Sequence, residues 1–324
     1  MDIYVKKAII HQFSPDDTDL YLADKFLNIT PKIEEYLCKK IERVYSDEAR
    51  TGIFEEDNPF LEMISDDLLE TSVAVANRWK EEFVVSENQK TNDLVFIQFS
   101  KEGVDHFAFL RIALRETLTH LGGEVDNPIK LTQNNLPGFG TGADEALVIN
   151  LQSRKYHLIE KRIKYNGTFL NYFSENLLQA QPKISPKKSI KALEKTAQKI
   201  AESFNTDDFQ FQSKVKSAIF NHIEEENKLS PEKLADDLFD DNLTARLSFI
   251  DQVKEAVPEP VTFEEIDASR QLKKFENQKL SLSNGIELIV PNNVYEDAES
   301  VEFILNENGT YSILIKNIED IQSK

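Results

Sequence analysis

Two Asn-Gly pairs near the carboxyl terminus constrain the fold of this chain more than any other feature. Asn284-Gly285 separates residues 280–283 from 286–290, and Asn308-Gly309 separates 301–305 from 311–315. Asn-Gly between alternating segments is a strong short-range hairpin signal, because both residues tolerate positive φ. The tail therefore reads as a small antiparallel sheet. A period of two also begins at Leu94, where 94–99 and 107–113 flank Lys101-Glu102-Gly103 as a hairpin, with 3–13, 146–151 and 156–163 as further strands.

Between these regions the period becomes helical. Ser185-Pro186 and Ser230-Pro231 each pair a capping serine with a proline suited to the first helical position. Helices are expected at 186–204, 207–226, 231–239 and 243–256, with Pro258 and Pro260 ending the series. Thr30-Pro31 opens an earlier helix with Ile33, Tyr36, Leu37 and Val44 on its apolar face. Ser65-Asp66-Asp67 opens another, carrying Leu69, Val73, Ala76 and Phe83 with Trp79 adjacent, and 169–178 also reads as helical. The fold class is α+β. Residues 1–181 form an amino-terminal antiparallel sheet with helices, and 182–324 form a helical segment followed by β-hairpins.

Charge is distributed unevenly over this frame. From Arg154 to Lys199 eleven Lys/Arg face three Glu, a net +8, while residues 1–153 carry −13 and 200–324 carry −14, within a total of −19. Any polyanionic partner must meet a local patch. At about 100° per residue, Ile190, Leu193, Ala197, Ile200 and Phe204 fall on one side of the helix after Ser185. Lys187, Lys188, Lys191, Lys195 and Lys199 fall on the other. Lys187 and Lys188 sit in the first turn, where the helix dipole disfavours cations by about 0.3–1 kcal/mol each. Phosphate contact accounts for such a row; docking on the protein's own acidic surface is the alternative. A second cluster, Arg154, Lys155, Lys161, Arg162 and Lys164, lies beside Tyr156, Tyr165, Phe169, Tyr172 and Phe173. Such a mixture can track single strands by charge and stacking, though aromatics of this kind are more often core.

Catalytic and ligand signatures are sparse. Residues 137–142, Pro-Gly-Phe-Gly-Thr-Gly, lack the Gly-Lys-Ser/Thr ending of a phosphate loop and read as a turn. His11, His106, His120, His157 and His222 are scattered without metal-ligand spacing, and His11 is the one of interest. Asp236-Asp237 and Asp240-Asp241 recur at i, i+4 without a calcium-loop pattern, which favours a solvated acidic face. The Asp/Glu-x-Lys of a metal-dependent nuclease occurs at Glu226-Asn227-Lys228, at a helix end. The expectation is a non-enzyme with no catalytic residue, cofactor or metal. One cysteine, Cys38, rules out an intrachain disulfide framework and suits a reducing cytoplasm. No signal-peptide core opens the chain, and no apolar run approaches the ~20 residues of a membrane helix.

Residues 5–12, Arg43-Val44-Tyr45-Ser46, the strand pair in 93–114, 155–162 and Arg270-Gln271-Leu272-Lys273-Lys274-Phe275 stand in an order that resembles the bacterial nucleoid-associated protein family of the NdpA/YejK type. The resemblance runs over nearly the whole chain. It implies a cytoplasmic protein at the nucleoid with DNA binding as its general activity, contacts with DNA-topology enzymes, and no catalytic residues. The expectation is sequence-independent DNA binding through the two basic clusters, with an acidic adaptor that reaches the nucleoid through basic partners as the alternative.

Overall fold

A computed structural model describes residues 2–16, 18–84, 90–120, 129–165, 167–205, 209–263 and 265–320. Two compact units account for them, Met1–Ser185 and Pro186–Lys324.

In the first unit the elements are, in order, β1 (Ile3–Ser14), β2 (Asp19–Tyr21), α1 (Pro31–Glu42), β3 (Arg50–Ile53), α2 (Pro59–Glu62), α3 (Leu68–Phe83), β4 (Asn92–Lys101) and β5 (Val104–Ala113). There follow β6 (Arg115–His120), β7 (Ile129–Asn135), β8 (Glu145–Asn150), β9 (Lys155–Ile159), β10 (Ile163–Tyr165), β11 (Thr168–Leu170) and a π-helical turn, Phe173–Leu177. Seven strands make one sheet in the order β2-β1-β4-β5-β8-β9-β3, antiparallel at every pairing.

The central strands are buried on both faces. Leu94 and Phe96 of β4 join Ile9, Phe13, Phe109, Leu147 and the α3 residues Val75, Trp79 and Phe83 in one core. Val95, Ile97 and Phe99 point the other way, against Leu37 and Ile41 of α1. The period of two at Leu94 therefore separates two cores rather than core from solvent. Thr30 caps α1 by accepting from the Ile33 amide, and Asp67 caps α3 by accepting from Leu69. The buried face of α3 is Leu68, Thr71, Ser72, Val75, Ala76, Trp79 and Phe83, so Ala76, Phe83 and Trp79 are buried as expected, Leu69 packs partly buried against the same core, and Val73 is not among the buried residues. Leu68 and Val75 extend this face, and the hydroxyl of Ser72 is accommodated there because it is hydrogen-bonded to His11. Residues 156–163 are not one strand: β9 stops at Ile159 and the separate β10–β11 hairpin begins at Ile163. That hairpin and the π-helical turn also replace the helix expected at 169–178. Gly52 is required by close approach, since a Cβ there would lie 2.3 Å from the Tyr156 hydroxyl.

His11 is fully buried and satisfied. The Ala23 amide donates to its Nδ1 at 3.0 Å, so Nε2 carries the proton and donates to Ser72 Oγ at 2.9 Å, which itself donates to the Leu69 carbonyl. Burial lowers its pKa from 6.5 to about 4. A second proton would point at the Ala23 N–H. Unfolded His titrates near 6.5, so the unfolded state binds the extra proton first and stability falls as pH drops from about 6.5 to about 4. At about 1.4 kcal/mol per pKa unit the loss is about 3 kcal/mol. Urea midpoints at pH 7, 5.5 and 4.5, followed by the emission of the single tryptophan, should show that slope in the native sequence and a flatter one in His11→Gln.

The second unit contains α4 (Pro186–Ser203), α5 (Phe209–Glu226), β12 (Lys228–Leu229), α6 (Pro231–Leu238), α7 (Leu243–Lys254), β13 (Val261–Thr262) and α8 (Glu265–Phe275). The four expected helices are present within a few residues of their predicted bounds; positions 207 and 208 of the second lie outside the described residues. Their shared core takes Leu193, Ala197, Ile219, Ile223, Leu234, Phe249 and Val253, with Ala268 from α8, which periodicity did not reveal. After α8 come β14 (Asn277–Ser281), β15 (Glu287–Pro291), the short α9 (Asn292–Tyr295), β16 (Val301–Leu305) and β17 (Tyr311–Ile315). Buried Gln278 and Ser217 both donate to Asn292 Oδ1, at 2.8 and 2.7 Å, and so hold the β14–β15 hairpin to α5.

Both Asn-Gly hairpins form, by a different turn from the one expected. Within the two Asn-Gly pairs only the glycines, Gly285 and Gly309, have positive φ, at 86° and 78°. Gly285 donates to the Leu282 carbonyl and Gly309 to that of Asn306. Each is thus a longer loop with the glycine alone left-handed, while the asparagine side chain accepts from the amide two residues on.

Candidate nucleic-acid interface

The lysine row is built by the burial of the opposite face of α4. Ser189, Ile190, Leu193, Ala197, Ile200 and Ala201 are buried, with Phe204 packed at the end of the same core. Lys188, Lys191, Lys195 and Lys199 are consequently exposed, and Lys187 is half-buried. From Lys188 to Lys199 the row extends about 17 Å, the axial length of about five base pairs. Lys199 donates to Gln252 Oε1 at 3.0 Å. Neither Lys191 nor Lys195 forms a salt bridge among the described residues. Glu194, the single acid within the row, is half-buried: burial raises its pKa, against the pull of Lys216 and Lys191.

The other five predicted residues belong to the first unit and are in a different electrostatic state. Arg154 sits at a positive φ of 60° before β9 and pairs with Glu56 at 3.1 Å. Lys161 pairs with Asp144 at 2.8 Å, an ion pair that, with the Ala113 amide, lowers the Asp144 pKa despite burial. Arg162 donates to the Phe169 carbonyl at 2.8 Å. Lys155 and Lys164 are exposed. Arg154 and Lys155 lie at the start of β9 and the other three beyond its end. Tyr156, Tyr172 and Phe173 are buried core residues, which removes them as stacking platforms; Phe169 is exposed, and the Tyr165 side chain lies outside the described residues.

The glycine-rich segment after β7 has the opposite polarity to a phosphate loop. It directs the carbonyls of Pro137, Gly138 and Thr141 at Lys40 Nζ, with the first two at 3.3 and 2.9 Å. Lys40 is fully buried on α1 and lies 4.5 Å from the Tyr36 ring centre, and the Tyr36 hydroxyl also donates to Pro137 O. Burial, with Arg43 and Arg115 nearby, lowers its pKa to about 8. A ring of carbonyls around an ammonium repels anions. Sequence reasoning missed this lysine because it occupies an apolar-face position.

Asp236 and Asp237 do not share a helical face with Asp240 and Asp241, because α6 ends at Leu238. Asp236 pairs with Arg246 at 3.0 Å, Asp237 with His222 at 2.7 Å and Asp240 with Lys214 at 3.2 Å. Cys38 is a half-buried free thiol whose pKa is raised by burial and by Glu34 and Glu42. A polar groove lined by Arg78, Glu82, Glu175, Asn176 and Gln179 has no Ser, Cys or His to serve as nucleophile or base.

A family model for nucleoid-associated protein YejK matches residues 9–321. The chain belongs to that family. No curated protein matches the chain. The family match spans both units, so α4 and the terminal hairpins are covered along with the seven-stranded sheet. Membership makes this a nucleoid-associated protein, and no described helix is long and apolar enough to cross a membrane.

Proposed function

We propose that this chain is a non-enzymatic DNA-binding protein of the nucleoid that contacts the phosphate backbone through the lysine face of α4. The observation that carries the reading is the exposed row at Lys188, Lys191, Lys195 and Lys199, set opposite a buried apolar stripe. Family membership at the nucleoid supports it. Lysine is a point charge without the planar fork that reads guanine, so binding is expected to be sequence-independent. The cluster at Arg154–Lys164 contributes less, since Arg154 and Lys161 already have carboxylate partners. The net charge of −19 supports the other reading, an acidic adaptor bound to basic partners such as DNA-topology enzymes.

Salt dependence separates the two. Five lysines on five phosphates give a slope of log K against log salt of about −4.5, and about −7 if three further cations from the first unit engage. Titration of purified protein into bare duplex DNA at several salt concentrations measures it. A flat response, or no binding at low salt, would leave the adaptor.

A further inference from the structure

The terminal hairpin presents an apolar face that the described residues cover only in part. Register places Val301, Phe303 and Leu305 of β16 beside Ile315, Ile313 and Tyr311 of β17, six apolar residues on one side. Val301 is buried and Phe303 stacks obliquely against Tyr295 of α9 at 5.3 Å. Leu305, by contrast, is 63% exposed and Ile315 46% exposed. On the reverse side Ile304 and Leu314 are exposed as well. The sheet has two strands, so among the described residues no third strand lies beside either of them. A two-stranded hairpin is marginal alone, and an exposed apolar edge of this kind is a template for strand addition.

Charge decides what can occupy it. Residues 292–320 carry seven carboxylates, at Glu296, Asp297, Glu299, Glu302, Glu307, Glu319 and Asp320, against the single cation Lys316. Lys316 is already held by Glu302 at 2.6 Å. A second copy of the hairpin would bring the same excess of carboxylates against its own. DNA would meet the wrong sign of charge. We infer that the β16–β17 hairpin is a docking site for an extended, alternating basic and apolar segment of a partner protein, which adds as a third strand. Its alternate apolar side chains extend the apolar face beside the strand it joins, next to Leu305 on β16 or Ile315 on β17, and its Lys or Arg side chains reach the surrounding carboxylates. The inference is independent of DNA binding by α4, which lies elsewhere in the unit and has the opposite charge.

The test uses the full chain and two nine-residue probes of identical composition, one alternating Lys and Val and one with the lysines in a single block. Fluorescence anisotropy should show the alternating peptide binding at least about tenfold more tightly. Hydrogen exchange should slow across 301–315. Leu305→Thr with Ile315→Thr keeps β propensity and should abolish the preference for alternation. Glu299→Gln with Glu307→Gln should weaken both peptides and reduce their salt dependence. Equal affinity for the two peptides, or protection elsewhere in the chain, would overturn the proposal. So would self-association of the unliganded protein that the Thr variant abolishes, since the occupant would then be a second copy.

Discussion

Replacing Lys188, Lys195 and Lys199 by glutamate should lower affinity for bare duplex DNA by on the order of 100-fold or more near physiological salt, and reduce the salt slope by about 3. The fold should hold. All three side chains are exposed, glutamate forms helices about as well as lysine, and a negative charge at 188 favours the amino-terminal end of the helix dipole. The change at Lys199 removes its bond to Gln252, an exposed interaction of small value. Lys191 is left in place because it helps to offset the half-buried Glu194. Leu193→Ala, on the buried side of the same helix, should do the reverse. It should cost about 2–5 kcal/mol of stability and leave DNA affinity unchanged in the folded fraction. Should the triple glutamate unfold the protein, the row is docked on an acidic surface and the phosphate contact falls to the cluster at Arg154–Lys164.

The sequence made α4 legible because its two faces differ in the property that pattern reading detects. Apolar and basic residues recur at helical spacing over 18 residues, and a serine and a proline mark the start. The hairpins were legible from Asn-Gly for a similar reason, although the turn geometry was not: whether asparagine joins glycine at positive φ depends on loop length. Patterns failed where a polar residue occupies a buried position. Lys40 lies on the inward face of α1 because three carbonyls 97 to 101 residues away surround it. Ser72 is buried in α3 because His11 of β1 donates to it. Such partners are set by tertiary contact and leave no local trace. The ion pairs that partly neutralise Arg154 and Lys161 are hidden in the same way, since Glu56 and Asp144 are distant in the chain. A charge count weighs all ten basic residues alike; the structure does not.

The largest stability effect is expected at the buried polar cluster in the first unit, which no sequence pattern marks. Arg111 of β5 donates to Glu145 of β8 at 2.6 Å and to Asn92 of β4 at 2.9 Å, with its guanidinium 5.2 Å from the Phe83 ring centre. Glu145 is wholly buried and also accepts from the Tyr172 hydroxyl, which in turn accepts from Trp79 Nε1 at 3.0 Å. Burial pushes the Glu145 carboxyl up while Arg111 and the Tyr172 hydroxyl hold it down. The cluster thus ties three neighbouring strands to α3 and the π-helical turn. Removing one partner leaves an uncompensated charge in the core, so Arg111→Ala or Glu145→Ala should each cost about 3–5 kcal/mol. The double replacement Arg111→Met, Glu145→Leu removes both charges together. It leaves the Asn92 and Tyr172 groups short of one partner each, and should cost less than the two single changes summed. Trp79 is the only tryptophan, is fully buried and belongs to this cluster, so its emission reports unfolding of this unit selectively. Urea midpoints read from that emission give all three values. Additive costs in the double variant would mean that Arg111 and Glu145 are each satisfied by other groups and that their ion pair holds nothing.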